Sequence, residues 1–163
     1  MNDFGVQFAV HDERAFGALQ VLFGELKKDK DAEQFRSPDG WVEHVPDSVK
    51  CHFDWPSAED RQAWVERRSH TPIMIGKPEE QIGSTWDFYR VFESVEDGDY
   101  ALLSCEKTGA NTGVILIDPY GYPYGGLGPL IALVEAFGFR VLGVNEYGEY
   151  QSREELLGNE GTA

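Results

Sequence analysis

The chain is poor in positive charge: 14 Lys and Arg stand against 29 Asp and Glu in 163 residues, a formal net charge of −15. Nucleic-acid surfaces work by clustering cations that release counterions from phosphates. The only clusters here are Lys27, Lys28 and Lys30, interleaved with Asp29 and Asp31, and the pair Arg67 and Arg68. Neither makes such a footprint, so nucleic acid is not an expected partner, and an anionic membrane surface is disfavoured on the same ground. Cysteine is scarcer still. Cys51 and Cys105 follow an amino terminus, Met1-Asn2-Asp3-Phe4, with neither the basic region nor the apolar stretch of a secretion signal. Free thiols and a cytoplasmic location are the expectation. No apolar run reaches the roughly 18 residues that cross a bilayer.

Catalytic and metal-binding signatures are missing as well. G-x-S-x-G, C-x-x-C and H-x-x-x-H do not occur. Cys51 and His52 are adjacent, and neighbours on an extended segment point to opposite sides, so the two do not share a tetrahedral zinc even with His44 and His70 nearby in sequence. No metal and no cofactor are expected. Cys51, His70 and Asp54 supply the residue types of a nucleophile, a base and an orienting group, without a diagnostic spacing. Asp118 at a strand end and Glu146 after the last strand could meet across a sheet, but among 29 carboxylates some pair always arises, and a solvated acidic rim explains them. No enzymatic activity is assigned.

What is present suits one folded unit. With 41% hydrophobic and 13% aromatic residues the composition is far from that of disordered chains. A single α+β domain over residues 1–158, with 159–163 as a disordered tail, is the expected organisation.

Phe4, Val6, Phe8 and Val10 alternate as in a half-buried strand, and Asp12 then caps a helix carrying Phe16, Leu19, Phe23 and Leu26. Gly17 and Gly24 inside that helix predict close packing by another element. Residues 30–48 read as loop, with Trp41 an anchor to the body, followed by a short strand from Val49 to Phe53. Ser57-Ala58-Glu59-Asp60 opens a helix through Trp64 to about Ser69, stopped before Pro72. Ser84-Thr85-Trp86-Asp87 opens another, with Phe88, Phe92 and Val95 on one stripe. Trp55, Trp64 and Trp86 would anchor this region to the sheet.

Tyr100 to Lys107 and Gly113 to Asp118 read as strands of a hairpin. Val114-Ile115-Leu116-Ile117 has no polar face and so marks a central strand. A helix from Pro129 to Phe137, apolar nearly all round, must be buried. Phe139 to Val144 is a last strand, and Ser152 with Glu155 caps a short helix to Leu157. Omitting a mostly helical insertion at about 30–98, the order is βαββαβ, a ferredoxin-like split-βαβ arrangement with an antiparallel sheet and helices on one face.

The most unusual segment is Asp118-Pro119-Tyr120-Gly121-Tyr122-Pro123-Tyr124-Gly125-Gly126-Leu127-Gly128-Pro129. Its tyrosines either cap an open end of the core or serve an interface, since rings on a proline-stiffened loop give contact area at low entropic cost. The expected function is therefore a non-catalytic acidic binding protein that holds or neutralises a basic protein partner, as immunity proteins and other small inhibitors do. Tyr120, Tyr122 and Tyr124 would dock, and Asp97, Asp99, Glu146 and Glu149 would steer the encounter. The alternative is a small-molecule site or enzyme at the turn, built from Asp118, Gly125, Gly126 and Gly128 beside a helix amino terminus. The glycines match neither a P-loop nor G-x-G-x-x-G.

Overall fold

The computed structural model describes residues 4–55, 57–59, 62–63, 66, 82–83, 85–121 and 124–158. Five strands form one antiparallel sheet: β1 (Phe4–Ala9), β2 (Tyr100–Lys107), β3 (Thr112–Pro119), β4 (Val141–Glu146) and β5 (Glu149–Ser152). Their order across the sheet is β2-β3-β1-β4-β5. Six α-helices accompany them among the described residues: α1 (Glu13–Asp31), α2 (Pro38–Trp41), α3 (Asp47–Lys50), α4 (Phe88–Asp97), α5 (Gly128–Ala136) and α6 (Arg153–Gly158). The fold is α+β. None of the described helices is long and apolar enough to cross a membrane.

Alternation along the strands sends one set of side chains into a single core. Val6 pairs with Ile115 and Val144, and Leu102 with Ile117, all buried beneath the helices. Phe16, Leu19, Leu22, Phe23 and Leu26 of α1 join them, on a helix whose first N–H groups at Arg14 and Ala15 are capped by the Asp12 carboxylate. α1 lies along β2, and α5 lies against β1 and β4. α5 is buried on nearly every side, as its composition requires.

The polar stretch after α1 is more ordered than its composition suggests. α1 runs on to Asp31, and residues 38–50 hold two short α-helices with a 3₁₀ turn at Val42–His44 between them. Trp41 is fully buried and stacks on Phe92, with the Arg36 guanidinium 4.3 Å above its indole ring. Arg36 donates to Asp29 and Glu25, and those bonds hold both carboxyls below the usual carboxylate range. One ion-paired, ring-stacked arginine thus closes a segment that has few aliphatic residues. The strand expected at Val49–Phe53 is absent. α3 and a turn stand there, with Val49 and Phe53 in the core.

Lys30 reaches across to the carboxy-terminal end of α4, donating to the carbonyls of Val95 and Gly98 at 2.8 and 2.9 Å, above the Tyr100 ring. Burial lowers its pKa. The close packing expected at Gly17 and Gly24 is not found, since a Cβ at either would meet nothing within 4 Å.

α4 starts at Asp87, whose carboxylate caps Tyr89 and Arg90, and Phe88, Val91, Phe92 and Val95 form its buried stripe. The helix expected over 57–69 falls mostly outside the described residues, as does Ser84; the helix expected to open at Ser84 begins instead at Phe88, because it is the Asp87 carboxylate that takes the first N–H groups. Ser152 and Glu155 make the reciprocal cap of α6. The last expected strand is shifted two residues to Val141–Glu146, and an additional strand, β5, follows a two-residue turn. There Tyr147 and Gly148 both have positive φ, 55° and 81°, the type I′ geometry that matches the twist of a hairpin.

Candidate functional site

The loop between β3 and α5, the turn before β2 and the β4–β5 turn meet at one end of the sheet. Backbone bonds tie them together: Tyr120 N–H donates to Asp99 O, and Asp99 N–H donates to Tyr124 O, each at 2.9 Å. The carboxylates expected to steer a partner are therefore grouped. Asp99 is pinned beside the loop, Asp97 ends α4, Asp118 ends β3, and Glu146 faces Glu149 across the Tyr147-Gly148 turn.

The expected tyrosine row does not act as one surface. Tyr120 is 69% exposed, whereas Tyr124 is 3% exposed and packs edge-on against Phe4, Tyr100 and Tyr147. Tyr122 lies outside the described residues. Alternation puts residues on opposite sides of a strand, but this loop is not a strand, so sequence spacing does not say which ring turns inward. Burial, and next to it the Glu146 carboxylate, raise the pKa of the Tyr124 hydroxyl, which stays protonated. The Tyr100 hydroxyl is held protonated by burial alone and makes no hydrogen bond among the described residues.

Tyr147 was not singled out by its sequence. It is 54% exposed, edge-on to Phe4 with ring centroids 5.2 Å apart, and occupies a left-handed conformation costly for a bulky side chain. The available signal was Glu146-Tyr147-Gly148-Glu149 as a hairpin turn, which lacks the Asn or Asp usual at its first central position.

The glycine-rich turn is mostly filled. Gly126 and Gly128 are buried, and Gly125 is exposed at φ 99° with its α-carbon face against Gly98. A cavity of about 160 Å³ lies elsewhere, between α5 and the segment before α4, lined by His52, Phe53, Thr85, Trp86 and Glu135 among others. Glu135 accepts the Gly83 N–H there at 2.9 Å, and burial raises its pKa. None of Asp118, Gly125, Gly126 or Gly128 lines it.

The remaining candidates are dispersed. Cys51 is exposed and its thiol donates to Ser48 O, while the Cys105 thiol is buried and pushed up to about 12 by desolvation. The His44 Nε2 lies 2.7 Å from Arg36 Nη1, and His70 is outside the described residues. Among those described, no group of three or more His, Cys, Asp or Glu is placed to hold a metal ion. Trp55 stacks on Phe88 and remains partly exposed, and Trp86 is half-buried against the core. The three lysines of α1 are not a cationic patch: Lys27 is paired with Asp31 and Lys30 is spent on α4 carbonyls.

No family model, no curated protein and no solved structure matches this chain.

Proposed function

We propose that this protein is a non-catalytic binding protein that holds or neutralises a basic protein partner. The observation that carries the reading is Tyr120: a 69% exposed ring on backbone pinned by a 2.9 Å bond to Asp99, with the Asp99 carboxylate beside the next residue, Gly121, and Asp118 two residues earlier in the chain. Exposed aromatic rings on fixed backbone contribute most to a protein interface, and surrounding charge of one sign accelerates encounter with its opposite. Tyr147, flanked by Glu146 and Glu149, is a second ring of the same kind at the same end. The net charge of −15 disfavours nucleic acid and anionic lipid as the partner.

The accompanying reading of the fold is a split-βαβ arrangement in one domain. It is supported by β3 lying between β1 and β2, by β1 lying between β3 and β4, and by α5 joining β3 to β4. β5 is then an addition at the β4 edge, and residues 30–98 an insertion whose Trp41 and Phe92 share the core.

The test is capture by the tagged protein from a lysate of its native cells at low and moderate salt, with mass spectrometry of what is retained. The expected result is one stoichiometric basic protein, released as salt rises and lost with Tyr120→Ala or Tyr147→Ala. Retention of nothing but the chain itself, or of an acidic protein indifferent to salt, contradicts the reading.

A further inference from the structure

β3 has the composition of a strand buried on both faces, since Val114, Ile115, Leu116 and Ile117 succeed one another without a polar residue. Only one of its faces is covered among the described residues. Ile115 and Ile117 are in the core, whereas Val114 and Leu116 are only half-buried, on the side away from the helices. The register continues that face outward. Val114 stands between Gln7 of β1 and Glu106 of β2, and Leu116 between Gly5 and Ser104.

Two irregularities enlarge the apolar area. A register shift between Leu102 and Ser104 puts an extra residue opposite Leu116, and Leu103 is left 48% exposed. On the other flank Tyr150, 47% exposed, pairs with Asn145 and lies across Gly143. Gly5, with no Cβ, lets Leu116 lean over β1; a Cβ there would sit 3.0 Å from Leu116 Cδ2. The charged residues that the register assigns to this face are Glu106 and Asp118, both exposed and both acidic.

We infer that this open sheet face, Leu103, Val114 and Leu116 bordered by Glu106 and Asp118, is the seat of the basic protein partner. It would receive an element that alternates apolar side chains with Lys or Arg. The inference rests on the basic-partner reading above and adds where that partner lies. Asp118 joins this face to the Tyr120 loop two residues further on, so one partner reaches both. A second copy of the chain does not fit as the occupant. Two such faces in contact would oppose Glu106 and Asp118 to their like with no cation between them, on molecules each carrying −15.

The test uses a defined probe, an octapeptide of alternating leucine and lysine, titrated into the whole protein while the Leu and Val methyl resonances are followed by NMR. The expected result is saturable, salt-sensitive binding with shifts gathered at Leu103, Val114 and Leu116, and none at Val21 on the exposed side of α1. Reversing the charges, Glu106→Lys with Asp118→Lys, should weaken the peptide at least about tenfold, or 1.4 kcal/mol, and both sites are exposed, so folding is retained. A Val21→Lys control should bind as the parent does.

Several results overturn it. Shifts confined to the Phe4 and Tyr147 end, or no binding of the peptide, would remove the sheet face and leave the basic-partner reading to the capture experiment. Equal binding of a leucine–glutamate peptide would remove both. Concentration-dependent shifts of the same methyls without peptide, with a dimer in sedimentation, would give the face to a second copy.

Discussion

Ile115 and Leu116 are neighbours on one strand and belong to two different surfaces. Ile115 faces the helices and is fully buried with Phe8, Leu102 and Val144, whereas Leu116 faces away from them and is only half-buried. The first surface is accounted for by stability alone, because each side chain there is removed from water by a partner within the chain. The second is accounted for only in part, since Leu103 is 48% exposed and Val114 and Leu116 keep part of their apolar surface in water after folding. An apolar residue that the fold does not require is the residue to examine for association.

The comparison breaks most readily at Ile115. Ile115→Ala should cost about 2–5 kcal/mol by leaving a cavity in the packed core, whereas Leu116→Ala should cost less than about 1 kcal/mol. Urea unfolding of the two variants measures the difference directly, and equal losses would mean that both faces are structural.

A somewhat smaller effect is expected where the open face is thinnest. Gly143→Ala would drive a methyl into Tyr150 and to within 2.6 Å of the Gln151 carbonyl, costing about 1–3 kcal/mol through displaced backbone. Thermal unfolding should show it, together with a shift in Tyr150 fluorescence or ring resonances as β5 gives way.

The helix layer adds a pH-dependent contribution to stability. Hydrogen bonding to Arg36 lowers the pKa of Asp29 in the folded chain. A depressed carboxyl contributes stability that is present above its unfolded pKa of about 3.9 and lost as pH falls through the folded value. Asp29→Asn should therefore cost about 2 kcal/mol at neutral pH, a difference that shrinks in a series of thermal melts as pH falls below the unfolded carboxyl value. The smallest change should be a gain. Gly24→Ala meets nothing within 4 Å in the middle of α1, and should add up to about 1 kcal/mol of stability in urea.

Much of the sheet layer was legible because its signals are local. β2, β3 and α5 each show as an apolar run bounded by turn residues, and the Ser152 and Glu155 cap of α6 is a four-residue pattern. Residues 30–53 were legible only in Trp41 as an anchor, because they are held by single contacts, Trp41 on Phe92 far along the chain and Arg36 on Asp29 seven residues back, rather than by periodicity. β5 was hidden by a turn whose first central residue is Tyr147 at φ 55°. In the candidate site the acidic grouping was foreseeable, but the split between Tyr120 and Tyr124 was not, because loop backbone decides which ring turns inward. The open face was least legible of all. A run of four aliphatic residues announces burial on both sides and cannot say that one side is left only half-buried.

The central claim, that the open face serves association and not stability, is tested most directly by reading both properties on Leu116→Lys. Its unfolding free energy should stay within about 1 kcal/mol of the parent, while capture of the basic partner at low salt should be lost. Destabilisation on the scale of Ile115→Ala, or capture undiminished by the added charge, would contradict it.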